Sequence, residues 1–300
     1  MSPAKLTSLL ALLLVLWTGV TSARAQSITV GGKNFTEQLL IAEITGQFLK
    51  AKGYAVRVRT GFATPGIRRE QEMGLIDVYW EYTGTSLRTF NNVSDLLSPE
   101  DTYARVKELD ARKGLVWLAP SRVNNTYALA MRRAEAQAKG LISISDLAGL
   151  IRQGERFKVA SNTEFFLRSD GLRPLQQAYR FGFLLEDVIR VDTGAIYDLL
   201  REGRGVDVGL VFSTDGRIKA YDLLVLEDDR QFFPSYLLTP VVRQRTLEQH
   251  PRLAGELEAL AARLDSATMA ELNAMVDVRG RSVDEVALAF LRSHGLRKRD

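Results

Sequence analysis

The feature that most constrains the fold of this chain is a regular alternation of short strand patterns with helical patterns from Ser27 onward. Residues 27–30 and 55–59 alternate as half-buried strands, and apolar residues between them recur with helical spacing from Leu39 to Leu49. Gly31-Gly32 is predicted to turn the first strand into this helix. A second series of strands and helices begins near residue 127. Strands that alternate with helices predict parallel sheets in an α/β architecture.

The first 25 residues have the organisation of an export signal. Lys5 supplies a positive charge, Leu9 to Trp17 form an apolar run, and Ala23-Arg24-Ala25 is a cleavage site before Gln26. The apolar run is short for a membrane-spanning helix, and an uncleaved N-terminal anchor is the alternative. The absence of Cys excludes a disulfide scaffold and a lipid-modified cysteine. We therefore predict cleavage after Ala25 and a soluble protein in the periplasm.

The charge of the chain does not indicate a nucleic-acid partner. The sequence has 40 Lys and Arg against 36 Asp and Glu, and removal of Lys5 and Arg24 with the signal halves this small excess. The only dense basic run is Arg297-Lys298-Arg299 at the C-terminus. Because nucleic-acid binding needs a clustered basic face, we predict none.

The order of the patterns predicts two lobes. We expect the chain to cross from the first lobe to the second near residue 127 and to return near residue 230. Residues 26–127 together with 231–300 then form lobe 1, and residues 128–230 form lobe 2. C-terminal helices, predicted at about 246–265, 268–275 and 282–294, are expected to pack back on lobe 1.

One strand-like run combines three aromatic residues with two carboxylates. It extends from Asp77 to a Thr-Gly-Thr turn that ends at Thr85. Trp80 and Tyr82 share one face by the period of two, while Tyr79 and Glu81 share the other. Electron-rich rings beside backbone N–H groups and hydroxyls suit a zwitterion with a quaternary ammonium at one end and a carboxylate at the other. The alternative is an ordinary strand whose aromatics belong to the core.

Polar turns follow several of the predicted strands, where ligands bind in open α/β sheets. They lie at residues 31–38, 161–163 and 213–215. Asn34, Thr36, Asn162 and Thr193 each have a plain interpretation as helix caps. Several such turns on two lobes nevertheless favour one shared cleft.

Six segments in this order resemble the substrate-binding proteins of osmoprotectant ABC transporters, the glycine betaine/carnitine/choline family, and are most similar to its YehZ/OsmF-type branch. They are residues 30–38, 81–85, 124–129, 164–171, 212–216 and 232–236. The resemblance implies a type II periplasmic binding protein fold, in which two α/β lobes close on a ligand at the hinge. It also implies a monomer without a cofactor that delivers its ligand to membrane permease subunits.

Carried over residue by residue, the family's aromatic cage falls on Tyr82, Tyr127, Phe212 and Tyr236. Negative ring faces attract a bulky cation that is weakly hydrated. Position 212 departs from the family, which usually has Tyr there, and Tyr197 is a candidate substitute wall or a core residue.

The same resemblance assigns the carboxylate end of the ligand to three side chains, which are Lys33, Thr85 and Arg168. Arg grips a carboxylate with two hydrogen bonds, whereas Lys acts as a point charge. Arg168 has an alternative as a solvated helix cation. Further polar candidates are Asn34, Gln38 and Asn125, the last of them through its backbone.

An enzyme would need a nucleophile–base pair or a metal cluster, and the sequence shows neither. Its two histidines, His250 and His294, fall in the C-terminal helices, and no ligand spacing for a metal appears. The sequence therefore predicts a periplasmic protein that is not an enzyme and that captures a quaternary-ammonium osmoprotectant of the glycine betaine type. A ligand-binding component of a sensing system, or a binder of another small zwitterion, is the alternative.

Overall fold

The computed structural model describes residues 27–203 and 205–297. The predicted export signal and the last residues of the basic tail lie outside this part of the chain. The described residues form two five-stranded sheets with helices packed on them.

The strands of the described residues are short. In chain order they are β1 (Ile28–Lys33), β2 (Val56–Phe62), β3 (Val78–Tyr82), β4 (Leu115–Trp117), β5 (Tyr127–Arg132), β6 (Val159–Ser161), β7 (Val188–Arg190), β8 (Val208–Phe212), β9 (Leu223–Val225) and β10 (Leu238–Arg243). The first sheet has the order β2-β1-β3-β10-β4, and the second has the order β7-β6-β8-β5-β9.

The prediction of parallel sheets is correct for three strands of each sheet and wrong for the others. In the first sheet β1 is parallel to β2 and β3, whereas β10 is antiparallel to β3 and β4. In the second, β6 is parallel to β7 and β8, whereas β5 is antiparallel to β8 and β9. Strands β5 and β10 are antiparallel because each begins directly after the chain has crossed between the sheets. Each therefore starts beside the carboxyl end of a parallel strand and runs back along it.

The helices surround these sheets. They are α1 (Thr36–Ala51), α2 (Thr64–Glu72), the single turn α3 (Thr83–Thr85), α4 (Pro99–Ala111), α5 (Arg133–Ala138), α6 (Ile144–Arg152), α7 (Thr163–Leu167), α8 (Leu172–Tyr179), α9 (Thr193–Glu202), α10 (Arg217–Ala220), α11 (Gln244–Gln249), α12 (Leu253–Ala261), α13 (Ser266–Asp277) and α14 (Val283–Ser293). A π-helical turn, Ser86–Phe90, continues α3, and a 3₁₀ turn covers Leu185–Asp187.

Several predicted boundaries need correction. The helix predicted at 246–265 is divided into α11 and α12 because Pro251 between them cannot continue a helix. Helix α7 ends at Leu167, since Arg168 has an extended backbone, and α8 begins after Gly171. Gly31 and Gly32 lie inside β1 and do not form the predicted turn.

The aromatic strand β3 packs as its period predicts. The indole of Trp80 donates to Thr45 at 2.8 Å, and the hydroxyl of Tyr82 donates to Glu37 at 2.7 Å. Both acceptors belong to α1, which confirms that Trp80 and Tyr82 share a face. Strand β3 is buried along its whole length, so the alternative of core aromatics correctly describes Trp80.

Two crossing segments, residues 118–126 and 226–237, connect the two sheets and run beside each other. The backbone N–H of Asn125 donates to the carbonyl of Tyr236 at 3.1 Å. The N–H of Tyr236 in turn donates to the side-chain oxygen of Asn124 at 2.7 Å. Within the described residues no helix has the length and apolar character needed to cross a membrane.

Candidate functional site

The predicted cage residues lie at strand ends where the two sheets face each other. Tyr82 ends β3, Tyr127 begins β5, Phe212 ends β8, and Tyr236 lies just before β10. Tyr127 and Phe212 are paired across β5 and β8. The antiparallel entry of β5 and β10 therefore places aromatic residues at the carboxyl edges of both sheets.

The structure brings all four predicted cage side chains to one small space, here named the aromatic cavity. The ring centroid of Tyr127 is 5.2 Å from that of Phe212 and 5.5 Å from that of Tyr236. The cavity has a volume of about 50 Å³, and Tyr82, Lys33 and Thr85 line it as well.

Phe35 is a fifth ring of this cavity that sequence reasoning missed. Its ring stacks on Phe212 with centroids 5.4 Å apart and planes at 14°, and on Tyr82 at 6.3 Å and 23°. Phe35 occupies the N-cap position of α1 without a capping side-chain bond. An aromatic residue where Ser, Thr, Asp or Asn is preferred is the signal that could have identified it.

Four residues of the polar turns have an interpretation as helix caps: Asn34, Thr36, Asn162 and Thr193. Of these, only Asn162 caps a helix. Its side-chain oxygen accepts from the N–H of Phe165 at 2.7 Å. The hydroxyl of Thr36 instead donates to Asp277 at 2.7 Å. The N-cap of α9 is Asp192, so Thr193 is the first residue of that helix and not its cap. The exposed Asn34 lines the aromatic cavity.

Lys33 reaches the aromatic cavity with its charge already paired. Its ammonium donates to Glu81 at 2.6 Å, and both side chains are buried. Glu81 also accepts from the hydroxyl of Tyr79 at 3.0 Å and from the N–H of Tyr82 at 2.7 Å. The ammonium nitrogen lies 5.2 Å from the ring centroid of Tyr82.

Arg168 has a similar arrangement in the loop between α7 and α8. Its guanidinium forms two hydrogen bonds to Asp170, at 2.7 and 2.6 Å, and a third to Glu164 at 3.2 Å. It lies 5.4 Å from the ring centroid of Tyr127. Arg168 is only 9% exposed, so the alternative of a solvated helix cation is wrong.

Thr85 lines the aromatic cavity from the turn that follows β3. This turn approaches Tyr236 closely at Gly84, where a Cβ atom would lie 2.8 Å from the Tyr236 ring and from the carbonyl of Ser235. Only glycine permits this approach, so Gly84 sets the distance between the turn and the ring.

Two predicted residues line neither the aromatic cavity nor the larger space beside it. The buried Gln38 donates to the carbonyl of Trp80 at 2.9 Å. The fully buried Tyr197 accepts from the N–H of Phe212 at 2.9 Å, and the guanidinium of Arg217 lies 4.1 Å from its ring centroid. Tyr197 therefore lies behind Phe212 and supports it, as its alternative interpretation as a core residue predicts.

Glu37, a buried carboxylate that sequence reasoning also missed, connects both sheets. It accepts from Tyr82 at 2.7 Å, from Asn125 at 2.9 Å, from Asn273 at 3.2 Å and from the hydroxyl of Thr214 at 2.5 Å. Burial raises the pKa of Glu37, and the hydrogen bonds from these partners offset part of the increase. Asn125 thus takes part through its side chain as well as through its backbone.

A second space of about 840 Å³, here named the wide cleft, opens beside the aromatic cavity. Seven residues line both spaces: Asn34, Phe35, Asn125, Asn162, Glu164, Thr193 and Phe212. Arg168 and Glu37 line the wide cleft. Within the part of the chain that the structure describes, no group of His, Cys, Asp or Glu side chains is arranged to hold a metal ion.

The chain is similar to known proteins along most of its length. Residues 26–293 match the model of a family described as the substrate-binding domain of an ABC-type glycine betaine transport system. A glycine-betaine-binding protein of Pseudomonas aeruginosa is 44% identical over 91% of this chain and 90% of its own length.

Solved structures support the same relationship. The apo structure of the glycine betaine-binding protein YehZ of Escherichia coli is 32% identical over 91% of this chain and all of that chain, with a TM-score of 0.68. A structure described as a glycine betaine/carnitine/choline ABC transporter is 25% identical over 90% of this chain and 99% of that chain, with a TM-score of 0.74. The two lobes with their mixed sheets match the type II periplasmic binding protein fold.

Proposed function

The chain belongs to the family of substrate-binding domains of ABC-type glycine betaine transport systems, and from this premise we propose that it captures a small betaine in the aromatic cavity. Members of this family deliver ligands to permease subunits and are not enzymes. The proposed ligand carries a quaternary ammonium at one end and a carboxylate at the other.

The observation that carries this proposal is the convergence of rings from both sheets on one cavity. Tyr82 and Phe35 come from the first sheet and its helix α1, while Tyr127 and Phe212 come from the second. A trimethylammonium group donates no hydrogen bonds, and each desolvated ring face contributes about 0.5–2 kcal/mol to its binding. Tyr236 completes the proposed cage from the returning segment.

Lys33, Thr85 and Arg168 are the proposed partners of the ligand carboxylate. Lys33 and Arg168 are both paired internally, with Glu81 and Asp170 respectively. A Lys ammonium has three donors and an Arg guanidinium has five, so each cation retains donors that a ligand carboxylate can share. The internal pairs weaken the attraction, because each cation is already partly neutralised.

We further propose the boundaries and location of the mature protein. Residues 26–127 with 231–300 form lobe 1 and residues 128–230 form lobe 2. Strands β1 to β4 and β10 then lie in lobe 1 and β5 to β9 in lobe 2, apart from Tyr127, the first residue of β5. The two lobes close about the crossing segments. Cleavage after Ala25 releases the mature protein into the periplasm, where its ligand arrives from outside the cell.

Calorimetric titration of residues 26–300 tests the proposed ligand. Glycine betaine, choline, carnitine and proline betaine are titrated into the wild-type protein and into Tyr127→Ala, with Phe183→Ala as the matched control. Phe183 packs on Phe181 in lobe 2 and lines neither the aromatic cavity nor the wide cleft. We expect binding of at least one compound that Tyr127→Ala weakens and Phe183→Ala preserves. No heat with any compound overturns the proposed ligand class.

Deletion of the gene separates uptake from sensing. An importer component predicts that cells lose uptake of the labelled ligand identified by calorimetry. Unchanged uptake with a lost transcriptional response to the same compound favours the sensing alternative.

A further inference from the structure

Two phenylalanine rings line both the aromatic cavity and the wide cleft, together with five polar residues. They belong to Phe35 and Phe212, and they stack nearly parallel with centroids 5.4 Å apart. Phe35 belongs to the turn between β1 and α1, whereas Phe212 ends β8 of the other sheet. This contact, here named the phenylalanine pair, therefore joins the two proposed lobes directly over the cavity.

The phenylalanine pair is the centre of a continuous row of rings. Tyr82 stacks on Phe35, Phe35 on Phe212, and Phe212 lies beside Tyr127. The outer members, Tyr82 and Tyr127, are buried at the ends of their strands, and the hydroxyl of Tyr82 also donates to Glu37. The inner members are only half-buried, so they have more freedom to change side-chain conformation than the outer ones.

The backbones beneath the two inner rings are fixed. The carbonyl of Phe35 accepts from the N–H groups of Gln38 and Leu39 at 3.0 and 3.1 Å, which starts α1. The N–H of Phe212 is held by the hydroxyl of Tyr197 at 2.9 Å. Movement of the pair therefore comes from side-chain rotation or from separation of the lobes, and not from local unfolding of either turn.

The aromatic cavity is small in comparison with the proposed ligand. A cavity needs roughly 10–15 Å³ to hold one water molecule, so about 50 Å³ accommodates only a few water-sized groups. A quaternary ammonium with its attached carboxylate is larger than this space. The wide cleft is large enough for such a molecule to approach, and the rings of Phe35 and Phe212 line both spaces.

We propose that Phe35 and Phe212 form an aromatic gate, and that Phe35 is a ligand-contacting wall of the cage. Ligand entry separates the pair, and in the bound state the Phe35 ring lies against the methyl groups of the quaternary ammonium. Tyr197 acts as a positioning residue, because it holds Phe212 at the end of β8. This inference rests on the proposed function for the identity of the ligand, but not for the contact between the lobes.

The kinetics of binding test the gate. Stopped-flow measurements with glycine betaine and with choline compare the wild-type protein, Phe35→Ala, Phe35→Leu and the control Phe183→Ala. We expect Phe35→Ala to accelerate both association and dissociation, with dissociation about tenfold faster and a higher Kd, since one ring contact is lost. Phe35→Leu retains the bulk of the gate without its π face, so association should stay near the wild-type rate while dissociation accelerates.

Small-angle scattering of the ligand-free proteins tests the contact between the lobes independently of the ligand. Phe35→Ala should have a larger radius of gyration than the wild-type protein, whereas Phe183→Ala should not. Thermal melts confirm that each variant is folded, and Phe35→Leu gives a second measurement if Phe35→Ala is too unstable.

The outcomes distinguish the gate from the proposed function. If the wild-type protein binds no quaternary ammonium compound but Phe35→Ala still expands, the proposed ligand is wrong and the contact between the lobes stands. If the wild-type protein binds a quaternary ammonium compound, and Phe35→Ala leaves the association and dissociation rates and the radius of gyration unchanged, the gate is wrong and the proposed function stands.

Discussion

The two halves of the candidate site contain the same three groups in different settings. In the first half Lys33 lies 5.2 Å from the ring centroid of Tyr82 and pairs with Glu81. In the second half Arg168 lies 5.4 Å from the ring centroid of Tyr127 and is paired with a carboxylate of its own loop. Each half thus combines a tyrosine, a cation and a carboxylate.

The difference lies in what holds each pair. Lys33 and Glu81 are at the ends of the neighbouring strands β1 and β3, so their own sheet fixes them. Arg168 and Asp170 lie in the loop between α7 and α8, and Asp170 accepts from the hydroxyl of Tyr236 at 3.1 Å. Because Tyr236 belongs to the returning segment, the second half is tied to the first lobe. We therefore expect the first half to govern folding stability and the second to govern ligand binding.

The largest expected effect is a loss of folding stability when the ion pair of the first half is removed. Glu81→Ala leaves the buried ammonium of Lys33 without its carboxylate, and it should lower the free energy of unfolding by about 3–5 kcal/mol. Urea denaturation of residues 26–300 measures this loss. Asp170→Ala should cost less, since Arg168 retains Glu164 and its loop can relax.

A double variant tests the cause of this loss. Combination of Glu81→Ala with Lys33→Met removes the unpaired charge and should recover part of the stability. A loss in the double variant that equals the sum of the single losses would contradict the pairing argument.

The second effect concerns binding. Arg168→Ala should weaken the binding of glycine betaine more than that of choline, which has no carboxylate, by about 1.5–3 kcal/mol for one charge-assisted hydrogen bond. Calorimetric titration with both ligands measures the difference, and Arg156→Ala in the same lobe is the control. Equal losses for the two ligands would mean that Arg168 holds the lobes together and does not bind the carboxylate.

Glu37 lies between the two halves of the site, and its protonation makes the folding stability depend on pH. Burial raises its pKa in the folded protein above the ordinary value of 4.5, so the folded state retains this proton to a higher pH than the unfolded chain. The resulting stabilisation is complete below the unfolded pKa and is lost as pH rises through the folded pKa. Glu37→Gln cannot titrate, and it should remove this part of the pH dependence. Urea denaturation from about pH 4 to about pH 8 measures the slope, and an identical slope in both proteins would contradict the prediction.

The smallest expected effect concerns the ring at position 212. Phe212→Tyr adds a hydroxyl beside the wide cleft and should tighten ligand binding by about 0.5–1 kcal/mol, comparable to one neutral hydrogen bond. If the hydroxyl is instead buried without a partner, the melting temperature without ligand should fall. Weaker or unchanged binding together with a lower melting temperature would show that Phe212 packs in the hydrophobic core and is not a wall of the cage.

Much of the fold could be predicted from local patterns. The positions of most strands and of α1 follow from periods of two and 3.6 residues, because these periods record which face each residue buries. Helix α4 was not predicted, although Ser98 caps its start and Pro99 occupies its first turn. The antiparallel entry of β5 and β10 could not be predicted, because it depends on which sheet the chain joins after it crosses.

The candidate site shows the same division between local and tertiary information. Tyr82, Tyr127, Phe212 and Tyr236 were assigned by resemblance, and the structure brings them to one cavity. Tyr197 could not be placed from its helical position, since only its contact with the N–H of Phe212 shows that it lies behind the ring.

The sequence by itself determined the α/β class, the polar and aromatic character of the strand ends, and the similarity to a family of betaine-binding proteins. These properties depend on residues close together in the chain and on the order of the motifs. Only the tertiary structure decided that Lys33 and Arg168 are paired with carboxylates, that Glu37 connects both sheets, and that Phe35 stacks on Phe212. Each of these contacts joins groups whose approach depends on backbone conformation or on the packing of separate segments, and the residue pattern encodes neither locally.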